Sequence, residues 1–152
     1  MCRMGIQALW LDRNDERDRM TDDPAQTASA LVRQANDEWL RGAGPEVVND
    51  LASRAIAADP ANRGAWHLWA ISESSPRERV ARWRQVVERF PQDELARANL
   101  ADNAASLAGA EHDEDALALA IATYEELFAS AEKPGQRDAV GRALETLRAW
   151  RW

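Results

Sequence analysis

The stretches Asp59-Pro60-Ala61-Asn62 and Phe90-Pro91-Gln92-Asp93 punctuate the middle of the chain and decide how it is built. Each stretch ends one amphipathic segment and opens the next, because the residue before a proline disfavours α-helical geometry. The chain between the two prolines is long enough for a helix, a turn and a second helix. Regular spacing of this kind is typical of a helical-hairpin repeat.

The composition favours an all-α protein. Hydrophobic residues make up 45% of the 152 residues, and Ala and Leu dominate them while β-branched residues are few. The formal net charge of −7 argues against nucleic acid or an anionic membrane as a partner. The longest apolar run, residues 116–121, is too short to span a bilayer.

The choice of basic residues bears on the genome that encodes the protein, and the single cysteine bears on its cellular compartment. Cys2 cannot form an intrachain disulfide, which is compatible with a reducing cytoplasm. Lys133 is the only lysine among the 19 basic residues, a bias typical of GC-rich genomes. The N-terminus has no convincing secretory cleavage site. We therefore expect a bacterial, cytoplasmic protein.

The chain divides into an extension and a repeat domain. Residues 1–23 are predicted to be an N-terminal extension, either flexible or a short helix, and translation starts at Met1 or at Met20. Thr21 or Asp22 is expected to cap the first helix, whose first turn holds Pro24. Residues 24–152 are predicted to form the helical repeat domain.

Apolar side chains recur at intervals of three and four residues in seven segments, as helices require. The predicted helices cover residues 24–41, 45–59, 62–71, 76–89, 93–109, 115–131 and 136–150. They make three hairpins and a terminal helix, and repeat proteins need such an end helix to cover their last apolar face.

The residues at matching positions of the three hairpins carry a family resemblance. The middle hairpin has Trp66-x-x-Trp69-Ala70, then Trp83 and Val86 before Pro91. The first has Val32-x-x-Ala35-Asn36-x-x-Trp39, then Val48-x-x-x-Ala52-x-x-Ala55, and the third pairs Arg97-x-x-Leu100-Ala101 with Ala120-Ile121-x-x-Tyr124-x-x-Leu127. Residues 25–150 thereby resemble the tetratricopeptide repeat (TPR) family, whose signature is Trp-x-x-Leu-Gly-x-x-Tyr, then Ala-x-x-x-Phe and a Pro.

The resemblance implies an all-α, right-handed α-α superhelix of about three hairpins plus a C-terminal capping helix. It also implies a non-enzymatic scaffold or adaptor that binds a peptide or partner protein, alone or as a subunit of a larger complex. Three departures stand out: the middle hairpin has a shortened turn, Arg79 replaces the usual small Ala, and an insertion surrounds residues 111–115.

The resemblance also assigns a binding surface. In TPR proteins the first helix of each hairpin faces a concave groove. The corresponding positions in this chain are Arg33, Gln34, Asp37, Arg41, His67, Leu68, Ile71, Asn99 and Asp102. Their mixed charge suits a polar peptide that carries both signs, and binding through the convex face is the alternative.

Catalytic, metal and cofactor sites are not predicted. Cys2 has no accompanying His–Asp set, no Gly-rich nucleotide motif occurs, and residues 111–115 lack the residue order of a calcium loop. That segment is interpreted as a solvated acidic loop and helix start. Two other functions stay open: a small hydrolase or ligand-binding enzyme built on His67 with nearby acids, and a self-assembling structural subunit.

Further expectations concern the tryptophan and arginine side chains. Of the seven tryptophans, Trp66, Trp69 and Trp83 are expected to meet where the helices of the middle hairpin cross. Trp150 is expected to cover the end of the repeat, and Trp152 to be exposed. In the Arg-rich segment 76–89, Glu78 is expected to pair with Arg82, and Arg84 with Glu88, on a solvated face.

Overall fold

The computed structural model describes residues 23–152, which contain seven α-helices and no β-strand. The helices are α1 (Pro24–Leu40), α2 (Pro45–Ala58), α3 (Arg63–Ile71), α4 (Pro76–Arg89), α5 (Glu94–Glu111), α6 (Glu114–Ser130) and α7 (Pro134–Ala149). The prediction of an all-α chain is confirmed. The expectations for Cys2, the start at Met20 and the extension up to Asp22 lie outside the described residues.

Side-chain caps explain where most of the helices begin. Asn62 accepts a hydrogen bond from the Ala65 N–H at 3.1 Å, and Asp93 accepts one from the Ala96 N–H at 3.2 Å, as expected for both residues. The cap of α1 is Asp23, which accepts from the Ala25 N–H, so the prediction of Thr21 or Asp22 was wrong. Proline fits the first helical position, and the residue immediately before it therefore takes the cap.

The helices group into two compact units, and the division along the chain falls after Trp69, within α3. Unit 1 contains the described residues up to Trp69, with α1, α2 and most of α3. Unit 2 is Ala70–Trp152, with α4 to α7. Each unit has its own buried side chains.

In unit 1, α3 packs on the α1–α2 hairpin through small side chains. Ala28, Ala55 and Ala65 come from the three helices and form one fully buried cluster. Leu68 joins a second cluster with Ala35 and Val48. Alanine at these contacts leaves room for the helix backbones to approach closely. Most of the predicted apolar positions of α1 and α2 form this core, but Trp39, which was predicted to belong to it, is 43% exposed.

In unit 2, consecutive helices pack as neighbours: α4 on α5, α5 on α6 and α6 on α7. Short connections make such neighbours antiparallel. Helices α5 and α6 are rich in alanine, and their buried side chains are Ala96, Leu100, Ala101, Ala104, Leu107, Ala108, Ala116, Ala120, Thr123 and Leu127.

The tryptophans are distributed over both units. On α3, Trp66 and Trp69 meet edge to face, with ring centroids 5.5 Å apart, and the Trp66 Nε1–H donates to the Pro60 carbonyl. Trp83 lies in unit 2, where it is 1% exposed. Trp150 packs against α5 at Gly109, where an added Cβ would come within 3.1 Å of the indole. A larger residue at position 109 would therefore require the indole to shift by a few tenths of an ångström.

The shortened turn before α4 is held by arginines. Arg79 Nε donates to the Glu73 carbonyl at 2.7 Å, and its Nη2 donates to the Ser74 carbonyl at 3.2 Å. Arg82 pairs with the Glu73 carboxylate at 2.8 Å rather than with Glu78, so the expected i,i+4 pair was wrong. Arg79 at the position of a small Ala therefore has a structural role: its guanidinium satisfies turn carbonyls.

The connection between α5 and α6 is shorter than the acidic loop that was predicted at residues 111–115. Helix α5 continues to Glu111, and α6 begins at Glu114, which leaves His112 and Asp113 as the connection. His112 adopts the left-handed conformation (φ 52°) that ends a helix, and Asp113 accepts from the Ala116 N–H to cap the next. The insertion relative to the TPR pattern is thus mainly extra helix.

Within the part of the chain that is described, every helix is too short or too polar to cross a lipid bilayer.

Candidate partner-binding surface

The polar face of α1 is open to solvent. Arg33, Gln34, Asp37 and Arg41 are all exposed. Arg41 makes a single ion pair, with Glu38 of its own helix at 3.6 Å, and Arg33 and Asp37 make none with a described residue. These side chains lie opposite the apolar stripe that packs on α2, so they are available to a partner without a cost in core packing.

The three candidates on α3 have different surroundings. Leu68 is 9% exposed and belongs to the core of unit 1, so its side chain serves packing rather than partner contact. His67 is half-buried. Ile71, at the end of the helix, is 45% exposed. The spacing of TPR positions placed these residues on one helix, but it did not distinguish the buried Leu68 from its neighbours.

The two candidates on α5 lie in unit 2 and are part of a polar cluster. Asn99 donates from Nδ2 to the Leu95 carbonyl at 2.9 Å, which secures its side chain to its own helix. The Asp102 carboxylate accepts a hydrogen bond from the Tyr124 hydroxyl of α6. Leu95, one turn before Asn99, is 63% exposed. This face of α5 therefore combines a fixed amide, an engaged carboxylate and an exposed apolar side chain.

Burial of Tyr124 raises its pKa above the ordinary value for a phenol, and the hydrogen bond to Asp102 with the charge of that carboxylate adds to the effect. A raised pKa in the folded chain means that the folded state holds the proton more tightly than the unfolded state. The contribution to stability is therefore present below about pH 10 and is lost as the pH rises above it.

We expect little tyrosinate in the folded protein at a pH of about 11, where an ordinary tyrosine is roughly nine-tenths ionised. Tyr124 is the only tyrosine of the chain, so the ultraviolet absorbance of tyrosinate reports on it alone. The urea-denatured chain is the control and should ionise near pH 10. Asp102→Asn should lower the folded pKa while leaving it above the ordinary value; equal curves for the folded and denatured chains would contradict the burial of the phenol.

A second polar cluster in unit 2 joins α4 to the connection between α5 and α6. Arg77 donates to the carboxylates of Glu111 and Asp113, the latter at 2.9 Å. The pKa of Asp113 is lowered mainly by the hydrogen bond from the Ala116 N–H, and further by the hydrogen bond from Arg77. The indole of Trp152 stacks on His112 with centroids 5.1 Å apart. Trp152 is exposed as predicted, at 46%, but it has an aromatic contact that the sequence did not indicate.

The described residues of these clusters do not include a metal-binding arrangement. Within residues 23–152, no group of three or more His, Cys, Asp or Glu side chains is arranged to hold a metal ion. The carboxylates of the Arg77 cluster are occupied by the guanidinium and by a helix N-terminus. Both clusters therefore act as connections between helices.

Sequence reasoning missed a groove between α1 and α2. It has a volume of about 440 Å³ and is lined by Gln34, Glu38, Glu46, Val47, Asp50 and Leu51. Of these residues only Gln34 was a predicted binding residue. Glu38 lies on α1 beside Gln34, and the other four lie on α2, which the resemblance to first-helix positions does not consider.

Another concavity, of about 730 Å³, follows the first half of α1 and includes Arg33. All of its described lining residues belong to this one helix. Because a single helix cannot enclose a ligand, we assign no ligand to it.

Comparison with protein-family models finds no match for this chain, and comparison with curated proteins finds none either. The functional assignment therefore depends on the surfaces described above.

Proposed function

We propose that this chain is a TPR-like binding scaffold without an enzymatic activity of its own. In this proposal its hairpins stack into a right-handed superhelix with α7 as the capping helix. The first helix of each hairpin then presents polar side chains to an extended peptide or a partner protein. The sequential packing of α1 on α2 and of α5 on α6 supports it, as do the repeat spacings in the sequence.

The observation that carries the proposal is the exposed, charged and unengaged face of α1. Arg33 and Asp37 are one turn apart, both are exposed, and neither forms an ion pair with a described residue. Charged side chains that make no contact within the fold are suited to partner recognition. Charges of both signs guide the encounter of two proteins and fix how they align.

The proposal is tested with two matched double variants. Arg33→Ala with Asp37→Ala removes one charge of each sign from α1, and Arg84→Ala with Glu88→Ala does the same on α4. Both pairs are exposed and one turn apart, so net charge and helix content should be unchanged in each. We expect the α1 variant to weaken capture of the native partner at least tenfold, or about 1.4 kcal/mol, and the α4 variant to leave it unaltered.

The readout is quantitative pull-down from the source lysate, with circular dichroism to verify the helix content of each variant. If the α4 variant loses the partner and the α1 variant keeps it, binding uses the other face of the hairpins and the proposal is wrong in its choice of surface.

A further inference from the structure

The groove between α1 and α2 in unit 1 has an apolar floor and an anionic rim. Val47 is 45% exposed within it, and Leu51 lies beneath at 4% exposure. The rim carries the carboxylates of Glu38, Glu46 and Asp50, together with one neutral amide, Gln34. Among the described residues that line the groove, none is basic, so its lining carries a net negative charge.

The nearest cations do not neutralise this rim. Arg41 lies 3.6 Å from Glu38, and Arg54 lies 3.8 Å from Asp50; Glu38 is half-buried, and the other three side chains are exposed. Ion pairs with exposed partners at such distances are weak. Glu46 forms no ion pair with any described residue. A cation that entered the groove would therefore meet three carboxylates with little competition.

The groove also exposes an apolar side chain of its own lining. Val47, in the first turn of α2, is 45% exposed there. A small ion would leave this apolar surface in water. A ligand with a long aliphatic stem and a cationic head uses both properties of the groove, because Lys and Arg side chains lay their stems on apolar surface while the head stays polar.

We propose that this groove binds a Lys or Arg side chain from a basic, amphipathic segment of a partner protein. The alkyl stem lies over Val47, and the ammonium or guanidinium group lies among Glu38, Glu46 and Asp50. The overall charge of −7 favours a basic partner in the same sense. This inference concerns a different face of the hairpin from the one in the proposed function and does not depend on it.

The probe is a short fluorescein-labelled peptide that repeats Ser-Arg-Leu, and its dissociation constant is measured by fluorescence anisotropy. The same peptide with citrulline in place of arginine keeps the shape and removes the charge. We expect the arginine peptide to bind at least tenfold more tightly than the citrulline peptide. Binding should also weaken as salt is raised, because exposed charges are screened beyond about 10 Å at 0.1 M ionic strength.

Two variants with equal loss of charge separate the groove from the charge of the whole chain. The groove variant is Glu38→Gln, Glu46→Gln and Asp50→Asn. The control variant is Glu132→Gln, Asp138→Asn and Glu145→Gln, three exposed acids of unit 2. We expect the groove variant to bind the arginine peptide at least tenfold more weakly than the wild type, and the control variant to change less than twofold.

Several outcomes would overturn the inference: equal losses in the two variants, an unaffected groove variant, or equal binding of the arginine and citrulline peptides. A sedimentation coefficient that falls in the groove variant alone would also overturn it, since a second copy would then occupy the groove. The variant Arg33→Ala with Asp37→Ala should keep peptide binding. Failure of this inference is thereby distinct from failure of the proposed function.

Discussion

Trp83→Ala is expected to lower the free energy of unfolding by about 3–5 kcal/mol, the usual cost of removing a buried large aromatic side chain. Trp83 is the largest fully buried side chain of the described residues, at 1% exposure, and it shares the inner face of α4 with Val80 and Val86. Deleting the indole removes its dispersion contacts and leaves a cavity that the neighbouring helix backbones cannot fill.

The measurement is urea denaturation followed by far-ultraviolet circular dichroism. Trp152→Ala is the matched control in the same unit, because Trp152 is 46% exposed and is held by its stacking on His112. We expect the control to change the free energy of unfolding by less than about 1 kcal/mol. Trp69→Ala should fall between them, since Trp69 is half-buried. Equal effects of Trp83→Ala and Trp152→Ala would refute the burial of Trp83.

Arg79→Ala is expected to lower the free energy of unfolding by about 1.5–3 kcal/mol, the range for hydrogen bonds to a charged group. The guanidinium of Arg79 donates to the carbonyls of Glu73 and Ser74, in the turn that precedes α4. Removal of the side chain leaves both carbonyls without this donor. For a chain of this length the melting temperature should fall by roughly 3–12 °C.

The control for this prediction is Arg84→Ala on the same helix, because Arg84 is exposed and has no ion pair or hydrogen bond with a described residue. It should change the free energy of unfolding by less than about 0.5 kcal/mol. Arg79→Lys should retain only part of the stability, because a single ammonium does not reproduce the fork of the guanidinium. Comparable melting temperatures for Arg79→Ala and Arg84→Ala would show that the two hydrogen bonds do not hold the turn.

The candidate surface was predictable from the sequence in part. Helical periodicity placed Arg33, Gln34, Asp37 and Arg41 on the solvent side of α1, and they are exposed there. Periodicity did not indicate that Leu68 is buried, since that burial depends on the packing of α3 against α1 and α2. It could not find the groove between α1 and α2, because that groove combines side chains of two helices.

The sequence by itself determined the seven helices, most of their ends and the apolar stripes of α1 and α2. These features depend on proline, on capping side chains and on a period of 3.6 residues, all of which act within a few residues along the chain. The caps predicted at Asn62 and Asp93 are therefore correct. The cap of α1 is Asp23 rather than Thr21 or Asp22, because Pro24 occupies the first helical position and the residue before it becomes the cap.

Only the tertiary structure decided which polar side chains have partners and which tryptophan is fully buried. Tyr124 and Asp102 are 22 residues apart, and Arg77 and Asp113 are 36 apart, so no local pattern links them. Arg82 pairs with Glu73 rather than with Glu78, which is nearer in the sequence. The short turn brings the Glu73 carboxylate to α4. Such choices depend on which helices come together in space, and that depends on the packing of the whole unit.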